Sequence, residues 1–399
     1  MNTSQSAGQP ALRVGLLWHS LASGNLGVDA LTVADLAILK EELTARGVVG
    51  EFTIIGMRDN FDETKAYGHR VLVIDRKSIA SPSGYWRELA SLDCIVDIGG
   101  GDSFTEIYGP KRFFYLWLTK ALAIARGVPL LLAPQTIGPF TKPLYRRLAG
   151  LVMSRAAAVI ARDEKSLIAI GDVAPEARRA LAVDVAFRLP FVDRSSERGG
   201  PVLRIGVNAS GLLFHQAETG KNRFGLSYDY AAMTRALLRE LTARSGVEIH
   251  LIVHATSATD PADDDAALAD RLVAEFPSAI RVPNFSGASD AKSYISSLDF
   301  LAAARMHACI GAFSAGTPVV PVAYSRKFGG LFGLLGYDHV LPVESFDEDG
   351  ARQFIIDRLD RRDGLSVGIA SGMTRITQLL SIYRAEVQRL FDQSLARRR

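Results

Sequence analysis

The sequence predicts an α/β protein built as two domains around mostly parallel sheets, and three observations carry that prediction. Up to residue 192 short apolar runs alternate with helix-period segments; a polar, turn-rich stretch without periodicity follows at 193–201; then the alternation starts again. A chain of 399 residues is also long for one core. The expected layout is a Rossmann-like domain over residues 11–192, a linker over 193–201, a second Rossmann-like domain over 202–365, and a C-terminal helix with a basic tail over 366–399.

The elements follow in order. An apolar run predicts a strand at 13–18, and a helix at 30–46 comes after it. Strands are expected at 51–55, 70–74, 94–98, 129–133 and 158–161, with helices at 113–126, 144–156 and 165–170. Asp163 is the expected N-cap of that last helix. Beyond the linker, strands are expected at 204–208, 248–254, near Ile280, at 300–304 and at 319–323. Helices are expected at 228–245, 263–276, 290–297 and 308–315, the second of them taking the run Asp263, Asp264, Asp265 at its N-terminus rather than as metal ligands. Met373, Ile376, Leu380, Tyr383, Val387 and Leu390 recur at helical spacing, which predicts a terminal helix at 369–395 packing across the domain boundary.

Composition narrows the function classes. A net charge of +3 with no basic stripe of interleaved aromatics argues against nucleic acid as a partner. Cys94 and Cys309 sit in apolar surroundings and read as buried free thiols, which fits a reducing cytoplasm. Residues 1–10 are polar and lack the apolar core of a secretory signal, and segment 116–134 carries Lys120 and Arg126 and is broken by Gly127. A cytoplasmic location is therefore expected. The tail Arg397, Arg398, Arg399 and the terminal helix are compatible with a peripheral position at the inner face of a membrane.

Polar groups gather at the expected strand ends. The stretch 19–30 after the first strand carries Asn25 and Asp29; Gly99, Gly100 and Gly101 followed by Asp102 come after the 94–98 strand. Consecutive glycines let a ligand approach the backbone, and a carboxylate beyond them accepts from hydroxyls, a pattern that favours a polyol. Gln135 and Thr136 end another strand, Arg162 the next, and His254 one in the second half. No phosphate-binding GxxxxGKS/T loop, GxSxG nucleophile motif or closed metal-ligand spacing occurs.

Residues 300–330 are the most informative. A strand, a small-residue helix and a second strand place Arg305 and His307 at one strand end and Lys327 after the next. In open parallel sheets ligands sit outside the carboxyl ends of the strands. Two cations, a titratable ring and a helix N-terminus there ask for a small anionic substrate. Arg305 and His307 share a face only if the strand continues through Met306.

These residues, in this order, resemble the polysaccharide pyruvyl transferase family. The resemblance runs over roughly residues 14–340 and rests on SGNLGVDAL, DIGGGDSF, PQTIGPF, ARDEKS, DVAF, VNASGLL and above all ARMHACIGAFSAGTPVVPVAYSRKFGGL. It implies a GT-B-like architecture of two Rossmann-like domains facing a central cleft. It implies transfer of the pyruvyl group of phosphoenolpyruvate onto sugar hydroxyls of a polysaccharide or its glycan precursor, forming a ketal and releasing phosphate; phosphoenolpyruvate is then the donor substrate, no cofactor is expected, and the spacing offers no metal-ligand set. By the same resemblance His307 is the catalytic residue, Arg162, Arg305 and Lys327 form the phosphoenolpyruvate pocket, and Asn25, Asp29, Gly100, Asp102, Gln135 and His254 belong to acceptor recognition. The acceptor is a sugar or glycan, with a lipid-linked form among the alternatives. The sequence departs from the family pattern at Val28, where an acidic residue is usual, and at Val253, where proline often precedes the histidine.

The chemistry gives the set a rationale. Phosphoenolpyruvate carries about three negative charges near neutrality, which fixed cations hold while stabilising the leaving phosphate. A proton must reach the methylene carbon, and an imidazole with an ordinary pKa of about 6.5 supplies it, a contribution of roughly 10²- to 10⁴-fold. Two alternatives stay open: a GT-B glycosyltransferase using a nucleotide sugar, and a non-catalytic glycan-binding subunit.

Overall fold

Two wholly parallel sheets organise the chain. The computed structural model describes residues 10–21, 23–57, 68–257 and 260–398, apart from the side chain of Arg326; Ala22 of the first loop and Arg399 of the basic tail lie outside the described residues. The first half runs β1 (Ala11–Leu17), α1 (Leu26–Thr44), β2 (Val49–Gly56), β3 (Arg70–Val73), α2 (Arg76–Ala80), α3 (Tyr85–Leu89), β4 (Cys94–Asp97), α4 (Pro110–Ala125), β5 (Leu130–Gln135), α5 (Pro143–Met153), β6 (Ala158–Ala161), α6 (Glu164–Val173) and β7 (Arg179–Leu181). Its seven strands stand in the order β3-β2-β1-β4-β5-β6-β7. β4, β5 and β6 are buried along their whole length, so they read as continuous apolar runs rather than alternating ones.

The second half runs β8 (Leu203–Asn208), α7 (Gly211–Glu218), α8 (Tyr230–Thr242), β9 (Val247–Leu251), α9 (Asp265–Glu275), β10 (Ile280–Arg281), α10 (Ala288–Ile295), β11 (Phe300–Ala303), α11 (Met306–Ser314), β12 (Val319–Pro321), α12 (Arg326–Leu334), α13 (Glu348–Asp360) and α14 (Arg362–Ala396). The strand order is β10-β9-β8-β11-β12. Both sheets thus reverse direction beside their first strand, between β1 and β4 and between β8 and β11, and those switch points are where such sheets bind ligands.

One compact unit gathers the described residues up to 21, 34–185 and 379–398; the other gathers 23–33 and 186–378. The start of α1 and the first half of α14 therefore belong with the second sheet. In that unit α14 lies close against α11: a Cβ on Gly372 would sit 2.5 Å from Cζ of Phe313. In the first unit the Tyr383 hydroxyl donates to Asp35 at 2.6 Å, and Asp35 meets Nε2 of His19 at 3.1 Å, all three buried.

The α/β class and the long terminal helix are as the sequence predicts. Two boundaries matter for the site. α1 begins at Leu26, four residues before the expected 30, because the Asn25 side chain accepts from the Gly27 N–H at 2.9 Å and caps it. α11 begins at Met306, not at 308, and β11 ends at Ala303. The short α2, α3 and β7, the glycine-rich α12, and α7 and α13 are not anticipated by the apolar pattern. Among the described residues no helix is long and apolar enough to cross a membrane, and Cys94 and Cys309 are buried free thiols.

Candidate functional site

In the second unit the site grows from the last residue of β8. The Asn208 side chain donates to the Ile252 carbonyl at 2.9 Å and accepts from the Arg305 N–H at 2.9 Å, locking the ends of β8 and β11 together at the switch point. Asp265, fully buried at the start of α9, accepts from Arg305 Nη2 at 2.6 Å and Nε at 3.1 Å and from the backbone N–H groups of Gly211 and Ala255. Asp263 adds a second ion pair to the same guanidinium at 2.6 Å. Burial opposes the Arg305 charge, but the two carboxylates outweigh it and hold the guanidinium firmly protonated. Arg305 is only 8% exposed.

His307 goes the other way. With Arg305 as the N-cap of α11 and His307 at the second helical position, the pair sits on a helical rather than an extended backbone, and the side chains diverge. The condition for a shared face, a strand running through Met306, is not met. The His307 ring instead lies against the backbone of Gly27: a Cβ there would overlap the ring, 2.8 Å from Cγ and 3.1 Å from the Asn25 amide oxygen. Gly27 is the second residue of α1, so the N-termini of α1 and α11 meet at this ring.

The strand end at His254 closes the group. Its carbonyl accepts from the Leu26 N–H at 3.2 Å, Thr256 N–H donates to Gly24, and Asn25 bridges Ala255. Buried, and beside His307 and Arg305, the His254 imidazole has its pKa pushed down to about 3 and stays neutral. Asp29 accepts from the Ser23 hydroxyl at 3.1 Å, holding the turn before α1. Lys327, half-buried, is the second residue of α12 after its N-cap Ser325. Asn25 and Asp29, expected on the N-terminal side, thus belong by packing with His254, Arg305 and His307.

In the first unit Gly99, Gly100 and Gly101 all adopt positive φ, +56°, +61° and +84°. Gln135 is buried beneath them and spends its amide N–H on the Asp97 carbonyl at 2.9 Å; a Cβ on Gly99 would lie 3.1 Å from its Cδ. Asp97 pairs with Lys120 at 3.1 Å, both fully buried, and burial lowers the Lys120 pKa against the pull of that carboxylate. Asp102 accepts from the Tyr108 hydroxyl at 2.8 Å. Arg162 donates to Thr136 at 2.9 Å and to Asp184 at 2.6 Å, while Asp163 caps α6 as expected.

The structure therefore gathers His307, Asn25, Asp29, His254 and Arg305 in one unit, with Lys327 on a neighbouring helix, and Gly100, Asp102, Gln135 and Arg162 along one sheet edge of the other. Three carboxylates that organise these groups, Asp184, Asp265 and Asp97, escape the sequence reading as partners. Asp184 and Asp265 lie 22 and 40 residues from the arginines they neutralise, beyond any local pattern. Among the described residues no three His, Cys, Asp or Glu side chains gather as a metal site would need.

Comparison with known proteins fits this geometry. The family description "Polysaccharide pyruvyl transferase" matches residues 25–326, from the α1 cap to the residue before Lys327. Among solved structures, MurG of Acinetobacter baumannii aligns with TM-score 0.54 at 12% identity over 96% of this chain and 99% of that one. A putative UDP-N-acetylglucosamine 2-epimerase from Listeria monocytogenes gives 0.55 at 11%, over 90% and 91%. Spinosyn forosaminyltransferase SpnP gives 0.54 at 12%, over 97% and 100%. At such identities the likeness is one of fold, and that fold is GT-B-like. No curated protein matches the chain.

Proposed function

The chain belongs to the polysaccharide pyruvyl transferase family, and from that premise we propose that it transfers the pyruvyl group of phosphoenolpyruvate to two hydroxyls of a sugar in a polysaccharide or its precursor, releasing phosphate. The observation that carries the reading is the seat of His307 at the meeting of two helix N-termini. Both helix dipoles favour an anion there, and Lys327 brings a further cation from the N-terminus of α12.

In the proposed reaction His307 gives a proton to the methylene carbon, leaving an oxocarbenium centre at C2. A sugar hydroxyl adds to that carbon and passes its proton to the His307 imidazole, which is thereby protonated again. Phosphate then leaves with its C–O bonding electrons, and a second hydroxyl closes the ketal and gives its own proton to the departing phosphate. Phosphoenolpyruvate and a diol thus give a pyruvate ketal and inorganic phosphate, with no redox change. Protonated His307 also stabilises the leaving phosphate.

The arginines take a different part from the one the resemblance implies. Each meets a buried carboxylate, Arg305 with Asp265 and Arg162 with Asp184, so little of their charge is left for the donor. We assign Arg305 the positioning of the α11 start, and Arg162 the ordering of the β5–β6 edge. Gly100 and Asp102 remain the residues offered to the acceptor, while Gln135 acts through the glycine turn above it. The test is an acceptor screen with phosphoenolpyruvate, reading inorganic phosphate and product mass. Thermal stabilisation by a nucleoside diphosphate with indifference to phosphoenolpyruvate would instead favour a nucleotide-sugar glycosyltransferase.

A further inference from the structure

We propose that the outer face of α4 and α5 in the first unit is a docking surface for an anionic lipid bilayer. Charge is the first observation. Between Glu106 and Asp163 the sequence holds nine Lys and Arg residues and no Asp or Glu, while the rest of the chain is net acidic. Lys111, Arg112, Lys142, Arg146, Arg147 and Arg155 of this stretch are exposed.

The second observation is apolar. Of the twelve exposed large hydrophobic side chains among the described residues, five fall between 107 and 151: Ile107 (61% exposed), Tyr108, Phe114, Leu144 (55%) and Leu151. Isolated exposed apolar residues are ordinary, but a group of them on one segment among charges of one sign marks an interaction site.

These residues form one surface. The Phe114 and Tyr145 rings lie 6.1 Å apart, Trp117 Nε1 donates across to the Leu148 carbonyl at 3.0 Å, and Arg112 lies over the Tyr108 ring at 5.7 Å. Glu106, the carboxylate beside them, accepts from the Lys142 N–H at 3.2 Å and so ties the loop before α4 to the loop before α5. Along α5, Leu144, Arg147 and Leu151 recur at helical spacing on one side, and Arg155 follows just past the helix end.

Apolar and aromatic side chains interspersed with exposed Lys and Arg fit an interface whose headgroups are anionic and whose depth is hydrocarbon. No described helix can span a membrane, so the fit is to lying on the surface. The docking does not depend on the proposed reaction. It bears on that reading because the loop bearing Ile107 and Tyr108 also holds Asp102, so a bilayer here would present a lipid-linked glycan to candidate acceptor residues.

The test is co-sedimentation of the full chain with vesicles of phosphatidylcholine alone or mixed with phosphatidylglycerol. Wild type should pellet with the anionic vesicles only, and less at high salt. Lys111→Glu/Arg147→Glu should weaken binding ~10-fold or more. Ile107→Ser/Leu144→Ser should do the same, with circular dichroism, Tm and turnover on a soluble acceptor kept. A chain ending at Ala396 should bind as wild type. Failure of wild type to pellet with anionic vesicles overturns the proposal and leaves the face to an acidic protein or a second copy. Full binding by both surface variants, or loss of binding in the chain ending at Ala396, overturns it as well. Loss of phosphate release on soluble acceptors in the wild type would count against the reaction, not the docking.

Discussion

The imidazole of His307 rests directly on the α-carbon of Gly27, with the Asn25 amide oxygen fixing the Gly27 N–H beneath it. Any side chain at 27 would occupy space the ring now fills. Gly27→Ala adds one methyl group and removes a poor helix residue, so the fold should persist. The ring must still shift, and misplacing a proton donor by about an ångström costs on the order of 10²-fold. Phosphate release from phosphoenolpyruvate should fall by that factor while circular dichroism stays native. Turnover near wild type would show that the ring's seat does not matter.

The fold was legible because both sheets are buried, which turns strands such as LLLAPQ and FLAA into apolar runs bounded by glycine and polar residues. The start of α11 was not. Met306 and His307 suit a strand end as well as a helix start, and the choice falls to Asn208, which takes the Arg305 N–H from 97 residues away. The arginine pairings were hidden for the same reason: they depend on Asp184 and Asp265, brought in by topology alone. The Asn25 loop could be read as a ligand loop, yet nothing local says that it packs with the second sheet.

Asp265 holds the second unit's strand ends together through Arg305, the backbone N–H groups of Gly211, His254 and Ala255, and the Asn208 amide. Asp265→Ala would leave a buried guanidinium with Asp263 alone, which is partly exposed. Breaking a buried pair from one side costs about 3–5 kcal/mol. Urea unfolding should show a loss of that size, and a loss below 1 kcal/mol would mean that Arg305 finds water or another partner at little cost.

His254 sets a pH dependence of stability. Its pKa is about 3 in the fold, against about 6.5 for an unperturbed imidazole in the unfolded chain, because burial and the nearby His307 and Arg305 disfavour charge. The unfolded state therefore gains a proton that the folded state refuses as pH falls through 6.5. The contribution is complete above that value and is lost progressively toward pH 3. Between pH 7.5 and 5.5, where few carboxylates titrate, wild-type Tm should fall more than that of His254→Asn. Parallel curves would show that His254 is not held neutral.

The buried pair of Asp97 and Lys120 yields a test by double-mutant cycle. Asp97 Oδ2 takes Lys120 at 3.1 Å and the Gln135 amide at 3.3 Å, whereas Asp97 Oδ1 and Gln135 Oε1 have no hydrogen-bond partner among the described residues. Lys120 also lies 4.6 Å from the Phe104 ring centre, in surroundings that suit an apolar side chain. Lys120→Met should therefore fit sterically yet strand a buried carboxylate, costing about 3–5 kcal/mol. Lys120→Met with Asp97→Leu removes both charges and should recover much of that loss, since a buried ion pair replaced by apolar groups is often near neutral. The two single losses should then exceed the double loss by a clear margin in urea unfolding. If they simply add, the two groups are not coupled, and the glycine turn over Gln135 owes its support to something other than this pair.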